Sequence, residues 1–408
     1  SSRRLPGVGG AEGSSGRTLG LEYRRLTSSS SSRETIVSGA SGLPPSRSTV
    51  RRITRGALFL LGLTFVAEGV ARFLVSSDTF FPRLTSPFDE PSWRLRWVRS
   101  HSGGEMAMTR FSFDRHHPVR GWTLAPNLRD LSVFEGERLN SNSQGLRGAR
   151  EYAVPKPEGT LRIALFGDSF TFGEDVSDDE TFAQQMELRL TKAGQAVEVM
   201  NFGVHGYGHD QMLLYAQEVL PRYRPDVVLV GYVADDSLRN LTRFRDYAKP
   251  RYRLRDGKLV LEGTPVPEPA VFLARERWRS RLFDLGTMLA TRAAWKWGRR
   301  SEEVDRLTDA LLSEIARTAR AVGARPAFVL LPVWNELGAR DPAPLPAEAF
   351  VLGAAAREKI PCLRLRPLFL EQAQLGAEFE QVWHWGAVEH RIAAGGIVDF
   401  LRRERLAP

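Results

Sequence analysis

Five short apolar runs, separated by stretches of helical periodicity, set the plan of the chain. Leu161 to Phe166, Val197 to Phe202, Asp226 to Val233, Ala327 to Leu331 and Pro361 to Leu365 each have strand length and few polar positions. After the first run, Phe182, Met186 and Leu190 recur every four residues, which predicts one buried helix face. His209 to Arg222 reads as a helix between the second and third runs. Val304, Leu307, Leu311, Ile315 and Ala319 line a helix before the fourth, with Ser301 as its N-cap. A last helix runs from about Ala387 to Arg403. Strands that are apolar throughout, rather than alternating, have to be covered on both faces, so the pattern predicts an α/β fold with a parallel sheet.

Two regions break the alternation. Tyr252 to Leu261 reads as a hairpin turning at Asp256-Gly257. Pro265, Pro267 and Pro269 then lead into an aromatic-rich stretch, Val271 to Arg299. Together these predict an insertion at about 245–300, serving either as a lid or substrate wall or as structural cover. Residues 77–158 carry turn signals at His116-His117-Pro118, Gly121-Trp122 and Pro126-Asn127. They read as a lead-in of loops and short strands packed on a main domain that spans 159–405. The His116-His117 pair has no third metal ligand placed by spacing and reads as a turn.

Ahead of these lies a different kind of segment. Residues 1–50 are Ser-, Gly- and Arg-rich and too poor in apolar side chains to offset the entropy of ordering, so a disordered tail is expected. Residues 51–76 read as a transmembrane or signal-anchor helix. Ala57 to Val75 is nineteen residues and includes only Glu68 and Arg72 as charges. As a helix it is about 28 Å long, near the hydrocarbon thickness of a bilayer. A buried core helix and a cleaved signal peptide, with Gly69-Val70-Ala71 as the cleavage site, are the alternatives. Arg51, Arg52 and Arg55 precede the apolar run, which predicts a cytoplasmic N-terminus and an exported body.

The net charge of +9 acquires its meaning from where it sits. Residues 1–56 hold ten arginines against three glutamates, so the body is nearly neutral. That excludes a phosphate-binding surface, and no nucleic-acid partner is expected. The single cysteine, Cys362, excludes an internal disulfide and a multi-cysteine metal site, and reads as an inert core residue. No Gly-rich phosphate loop follows a strand, so no nucleotide cofactor is expected.

The candidate chemistry lies at the end of the first strand, in Leu161 to Thr171, LRIALFGDSFT. Gly167 ends the strand, and Ser169 falls on the turn with a backbone N–H beside it. A nucleophilic serine with an oxyanion donor is built this way, and so is an ordinary helix cap. The acidic run Glu174 to Glu180 reads as a solvated loop and helix N-terminus, since its spacing is wrong for a calcium loop. His205 and His209 are four apart, but Gly206 and Gly208 argue against the helix a zinc pair would need. No metal is expected.

Several pieces in order resemble the SGNH/GDSL hydrolase family, over roughly residues 115–405. Gly167-Asp168-Ser169-Phe170 resembles its first block, with Ser169 in the nucleophile position. Asn201 to Gly206 resembles the second, whose glycine, here Gly206, lends an N–H to the oxyanion hole. Gly231 to Asp236 falls at the third block, G-x-N-D, with Asp235 where that block has its oxyanion-binding asparagine. His384 falls at the catalytic histidine of the last block, and His390 at a second histidine six residues on. HHPVRGWTLAPN, NSQGLRG and the N-terminal apolar segment resemble a bacterial, membrane-anchored branch.

The resemblance implies a three-layer α/β/α, flavodoxin-like fold and serine ester hydrolysis needing no cofactor. It implies acyl or acetyl esters of envelope glycans as substrates outside the cytoplasmic membrane. Two positions depart from it. An ionised Asp235 would repel an oxyanion, and the acid usual just before the histidine is replaced by Gln381 and Val382, leaving Glu380 as the nearest candidate orienting acid. These losses motivate the alternative of a catalytically degenerate relative with a binding or polysaccharide-assembly role.

Overall fold

The computed structural model describes residues 47–86, 89–101, 108–192, 194, 196–379 and 383–407. The tail expected over residues 1–50 lies outside these as far as residue 46. The chain divides into two compact units, Ser1–Leu60 and Leu61–Pro408. The described part of the first is the start of helix α1, Arg47–Ser76. One 18-residue window of α1 has mean hydropathy 1.9 and is only 11% buried. A core helix would be mostly buried, so that alternative is set aside. By length and composition α1 can cross a membrane, and a signal sequence would fit the same description.

After the rest of α1 and a four-residue helical turn, Phe81–Leu84, the second unit has a helix that the sequence pattern hid, α2, Glu90–His101. Its buried side includes Ser92, Arg94, Leu95 and Trp97. Arg94 is buried because it is neutralised by Glu276 and Asp284, so an ion network stands on the buried helix face where apolar residues ordinarily mark it. A short antiparallel pair follows, Asp114–His117 with Gly121–Leu124.

The main sheet and its helices then alternate: β1 Leu161–Phe166, α3 Phe182–Lys192, β2 Val197–Asn201, α4 His209–Tyr223 and β3 Val227–Tyr232. The insertion supplies an antiparallel hairpin, Arg251–Arg255 with Lys258–Glu262, and helices α5 Pro269–Glu276 and α6 Arg281–Lys296. Its turn is Asp256-Gly257, both at positive φ (51° and 73°), as a two-residue hairpin turn of this twist requires. Helix α7 Arg299–Ala321, β4 Arg325–Leu330, α8 Pro346–Arg357, β5 Cys362–Arg364 and α9 Ala387–Arg403 complete the fold. Ser301 is not the cap of α7. The helix starts two residues earlier, after Gly298 in the left-handed region (φ 69°).

All five strands are parallel, in the order β5-β4-β3-β1-β2. Successive side chains alternate between two cores. Ile163, Leu165, Val199 and Leu229 meet Phe182, Met186 and Leu190 of α3 and Ile397 and Leu401 of α9. Ala164, Phe166, Met200 and Val230 meet Leu213 and Leu220 of α4 and Leu311 and Ile315 of α7. Each such Val, Leu, Ile, Met or Phe side chain is worth roughly 1.5–3 kcal/mol of burial, which is why the strands read as unbroken apolar runs. The chain leaves β1 for β2 on one side and then for β3 on the other. That reversal opens a crevice at the carboxyl end of β1, where open α/β sheets place their sites.

Candidate active site

The chain turns at once after β1. Asp168 accepts the Phe170 N–H at 3.0 Å and caps a single helical turn, Ser169–Phe172, before Gly173 reverses the backbone in the left-handed region (φ 85°). Ser169 is 4% exposed. No carbonyl or side chain among the described residues accepts its N–H.

His384 arrives from the loop before α9. Its Nε2 lies 2.9 Å from Ser169 Oγ, and its ring packs edge-on against Phe170. On the far side of the ring, Nδ1 lies 3.1 Å from Asp175 Oδ2 and 3.5 Å from Glu174 Oε1. The acidic run is therefore not simply a solvated loop. Gly173 and Asp175 (φ 73°) both take left-handed conformations, and the chain folds back so that Glu174 is buried and Asp175 faces the histidine. Glu174 is also held by Arg110 of the lead-in, and burial pushes its carboxyl above the usual range. Glu380, Gln381 and Val382, where the orienting acid was expected, lie outside the described residues. Glu174, Asp175 and His384 have ligand-type atoms within 4.8 Å of one another and are the described side chains that could hold a cation here. Both ring nitrogens of His384, however, are taken up in the Ser169–His384–Asp175 chain.

The opposite wall comes from the ends of β2 and β3. Asn201 accepts the Gly203 N–H at 2.9 Å and donates to the Thr171 carbonyl at 2.8 Å, tying this loop to the Ser169 turn. A Cβ on Gly203 would lie 2.4 Å from the Phe172 backbone nitrogen, so only glycine allows this approach. Gly206 has φ 71° and no described hydrogen bond from its N–H. The preceding His205 is buried among Phe111, Phe113 and Phe172 and pairs with Asp114. Against the desolvation that would lower it, that carboxylate raises the His205 pKa. His209 stacks on Tyr232 and His390 on Phe182, and burial drops both to about 3, so these are core histidines.

Asp235 stands exposed at the start of the short helix Asp236–Arg239. Its neighbour Asp236 goes inside instead, 2.6 Å from Arg239, which also lies 3.2 Å from Asp168. One guanidinium cannot neutralise two buried carboxylates, and burial pushes Asp236 well above the aspartate range. The consequence for stability has a definite sign. In the unfolded chain Asp236 loses its proton near pH 4, whereas the folded protein keeps it to higher pH. Its contribution is fully present below that value and is lost as pH rises toward the folded pKa. Asp236→Asn is expected to flatten this decline, read as Tm against pH in detergent. An unchanged slope would show that Asp236 is ionised in the fold.

A depression of about 680 Å³ is lined by Gly159, Thr160, Asp226, Arg325 and Arg402 at the amino ends of the strands. It lies at the wrong end of the sheet to serve Ser169.

Residues 165–375, just over half of the chain, match the GDSL-like Lipase/Acylhydrolase family. The chain belongs to this family. The GDSL-like match includes the Ser169 turn and ends before His384. It makes this lipase/acylhydrolase relative an ester-hydrolysing enzyme. Solved structures similar to this GDSL-like chain include TesA, at 17% identity and TM-score 0.36, covering 60% of this chain and 99% of that one. Another is the psychrotrophic esterase EstA from Pseudoalteromonas sp., at 12% identity and TM-score 0.36, covering 60% and 98%. A third is the acetyl xylan esterase AlAXEase, at 11% identity and TM-score 0.35, covering 59% and 98%. No curated protein matches the chain.

Proposed function

We propose that this family member is a serine esterase anchored by α1, with its body outside the cytoplasmic membrane, acting on acyl or acetyl esters of envelope glycans. The observation that carries the catalytic part is the unbroken chain from Ser169 Oγ through His384 to Asp175. Ser169 attacks the ester carbonyl as His384 Nε2 takes its proton. Asp175 accepts from Nδ1–H, holds the tautomer and stabilises the imidazolium that forms. The N–H groups of Ser169 and Gly206 bind the oxyanion. Asp235, at the family's asparagine position, offers no N–H as a carboxylate, so the hole rests on those two backbone donors. Collapse of the intermediate passes the proton from His384 to the leaving alcohol and leaves Ser169 acylated. Water, activated by the same histidine, then releases the acid.

Arg51, Arg52 and Arg55 in the first turns of α1, ahead of its apolar run, and the apolar length of that helix support the exported topology. A fluorophosphonate probe tests the assignment directly. Labelling is expected at one site per chain, on the peptide carrying Ser169, with parallel loss of p-nitrophenyl acetate hydrolysis. Labelling elsewhere, or loss of activity without labelling, would overturn it. Release of acetate from acetylated glycan, compared with longer p-nitrophenyl esters, tests the substrate class.

A further inference from the structure

Helix α6 of the insertion is built inside out. Arg281, Asp284 and Arg292 turn inward, and only Lys296 in the last turn is an exposed charge. Arg281 and Asp284 are buried in a network with Arg94 and Glu276, in which Arg281 Nη1 lies 3.0 Å from both carboxylates. Arg279, just before the helix, joins Asp284 at 3.0 Å, and Arg292 donates to the Leu84 carbonyl. The outward positions are apolar. Phe283 is 66% exposed, Leu289 65%, Trp297 68%, and Trp278 at the preceding corner 89%. In water this arrangement is penalised twice, once for the buried charges and once for the bare aromatic surface.

The helix is also fixed to α1. Glu68 accepts the backbone N–H groups of Arg281 and Leu282, both at 3.0 Å, and the Ser280 hydroxyl at 2.8 Å, so a carboxylate from the apolar helix caps the first turn of α6. Arg72 donates to the Arg279 carbonyl at 3.0 Å and pairs with Glu68 at 2.9 Å. Val70 and Phe73, beside those two residues in α1, are exposed and apolar as well. The apolar surface of a helix able to cross a bilayer therefore continues onto α6 across this joint.

We infer that the outward face of α6, with Trp278, is a lipid-binding surface seated in the headgroup–acyl boundary of the membrane that α1 enters. Tryptophan at such a boundary keeps its ring in apolar surroundings and its N–H near water. The inward ion network is then the internal support of an interfacial helix, and the catalytic body is held against the membrane by two contacts rather than swinging on one. The inference rests on α1 as an anchor, and its test separates the two.

In the full chain with Cys362→Ser, which removes the sole cysteine, single variants F283C, L289C, F65C in α1 and K258C at the hairpin would each carry an environment-sensitive fluorophore. The protein would be reconstituted in phosphatidylcholine–phosphatidylglycerol nanodiscs containing lipids spin-labelled near the headgroup. Quenching at F283C and L289C is expected to be at least about threefold stronger than at K258C. Labels there as water-accessible as the one at K258C would overturn the inference, even with F65C quenched. So would labels shielded from water but untouched by the spin-labelled lipid, since a second copy or another protein would then cover the face. Failure at F65C with quenching at Phe283 and Leu289 would remove the anchor and leave the lipid-binding face standing. Failure at all three would remove both.

Discussion

Ser169→Ala is expected to lower kcat for p-nitrophenyl acetate by about 10³-fold or more, leaving only what binding and the oxyanion donors supply. The size follows from the geometry. Ser169 Oγ is 2.9 Å from the base, and its other described hydrogen bond is a long one, 3.4 Å to Asp168. Alanine removes the attacking oxygen while the turn stays capped through Asp168 and Phe170. The near-ultraviolet circular dichroism should therefore match that of the wild type, so that the lost rate is chemical. Equal rates for the two proteins would end the proposed mechanism and favour the degenerate-relative alternative.

The second large effect concerns the acid. Asp175→Asn is expected to cost about 10²-fold in kcat, and Asp175→Asn with Glu174→Gln about 10⁴-fold, the scale set by removing the orienting charge in serine proteases. Asp175 alone does not carry the whole effect because Glu174 is 3.5 Å from the same nitrogen. Glu174 compensates only in part, since burial disfavours its charged form and Arg110 already holds it. Glu380→Gln provides the comparison. If it costs more than Asp175→Asn, the acid comes from the last block and the present assignment is wrong. The KM should move little in all three, because none of these groups holds the substrate.

How far the sequence reached can be traced residue by residue. The parallel sheet was legible because each strand is buried on both faces, so burial leaves an unbroken apolar run. Ser169 and His384 were legible because each sits in a local block at the end of an element. Helix α2 was hidden because Arg94 is buried by pairing with residues more than 180 positions away, which no periodicity records. The approach of Glu174 and Asp175 to His384 was hidden because two left-handed residues turn a hydrophilic run inward. The available signal was Gly173 directly after a one-turn helix, followed by two acids, in a chain lacking the acid usual before its histidine. At the third block Asp235 is in register with the missing asparagine but stays exposed, whereas Asp236 is the one buried. The choice depends on Arg239 and Asp168, which only the fold brings together.

The position of the acid also changes how the site is assembled. The serine and both candidate acids lie within seven consecutive residues, 169 to 175, on a turn fixed by its own hydrogen bonds. Of the catalytic side chains, only the histidine comes from far away along the chain. The entropy of bringing distant segments together is therefore paid at a single closure, where the loop leading into α9 docks beside β1. Catalytic competence then reports on the seating of that C-terminal helix. A partly unfolded form that has released α9 would keep its sheet and its serine turn, and would be silent as an enzyme.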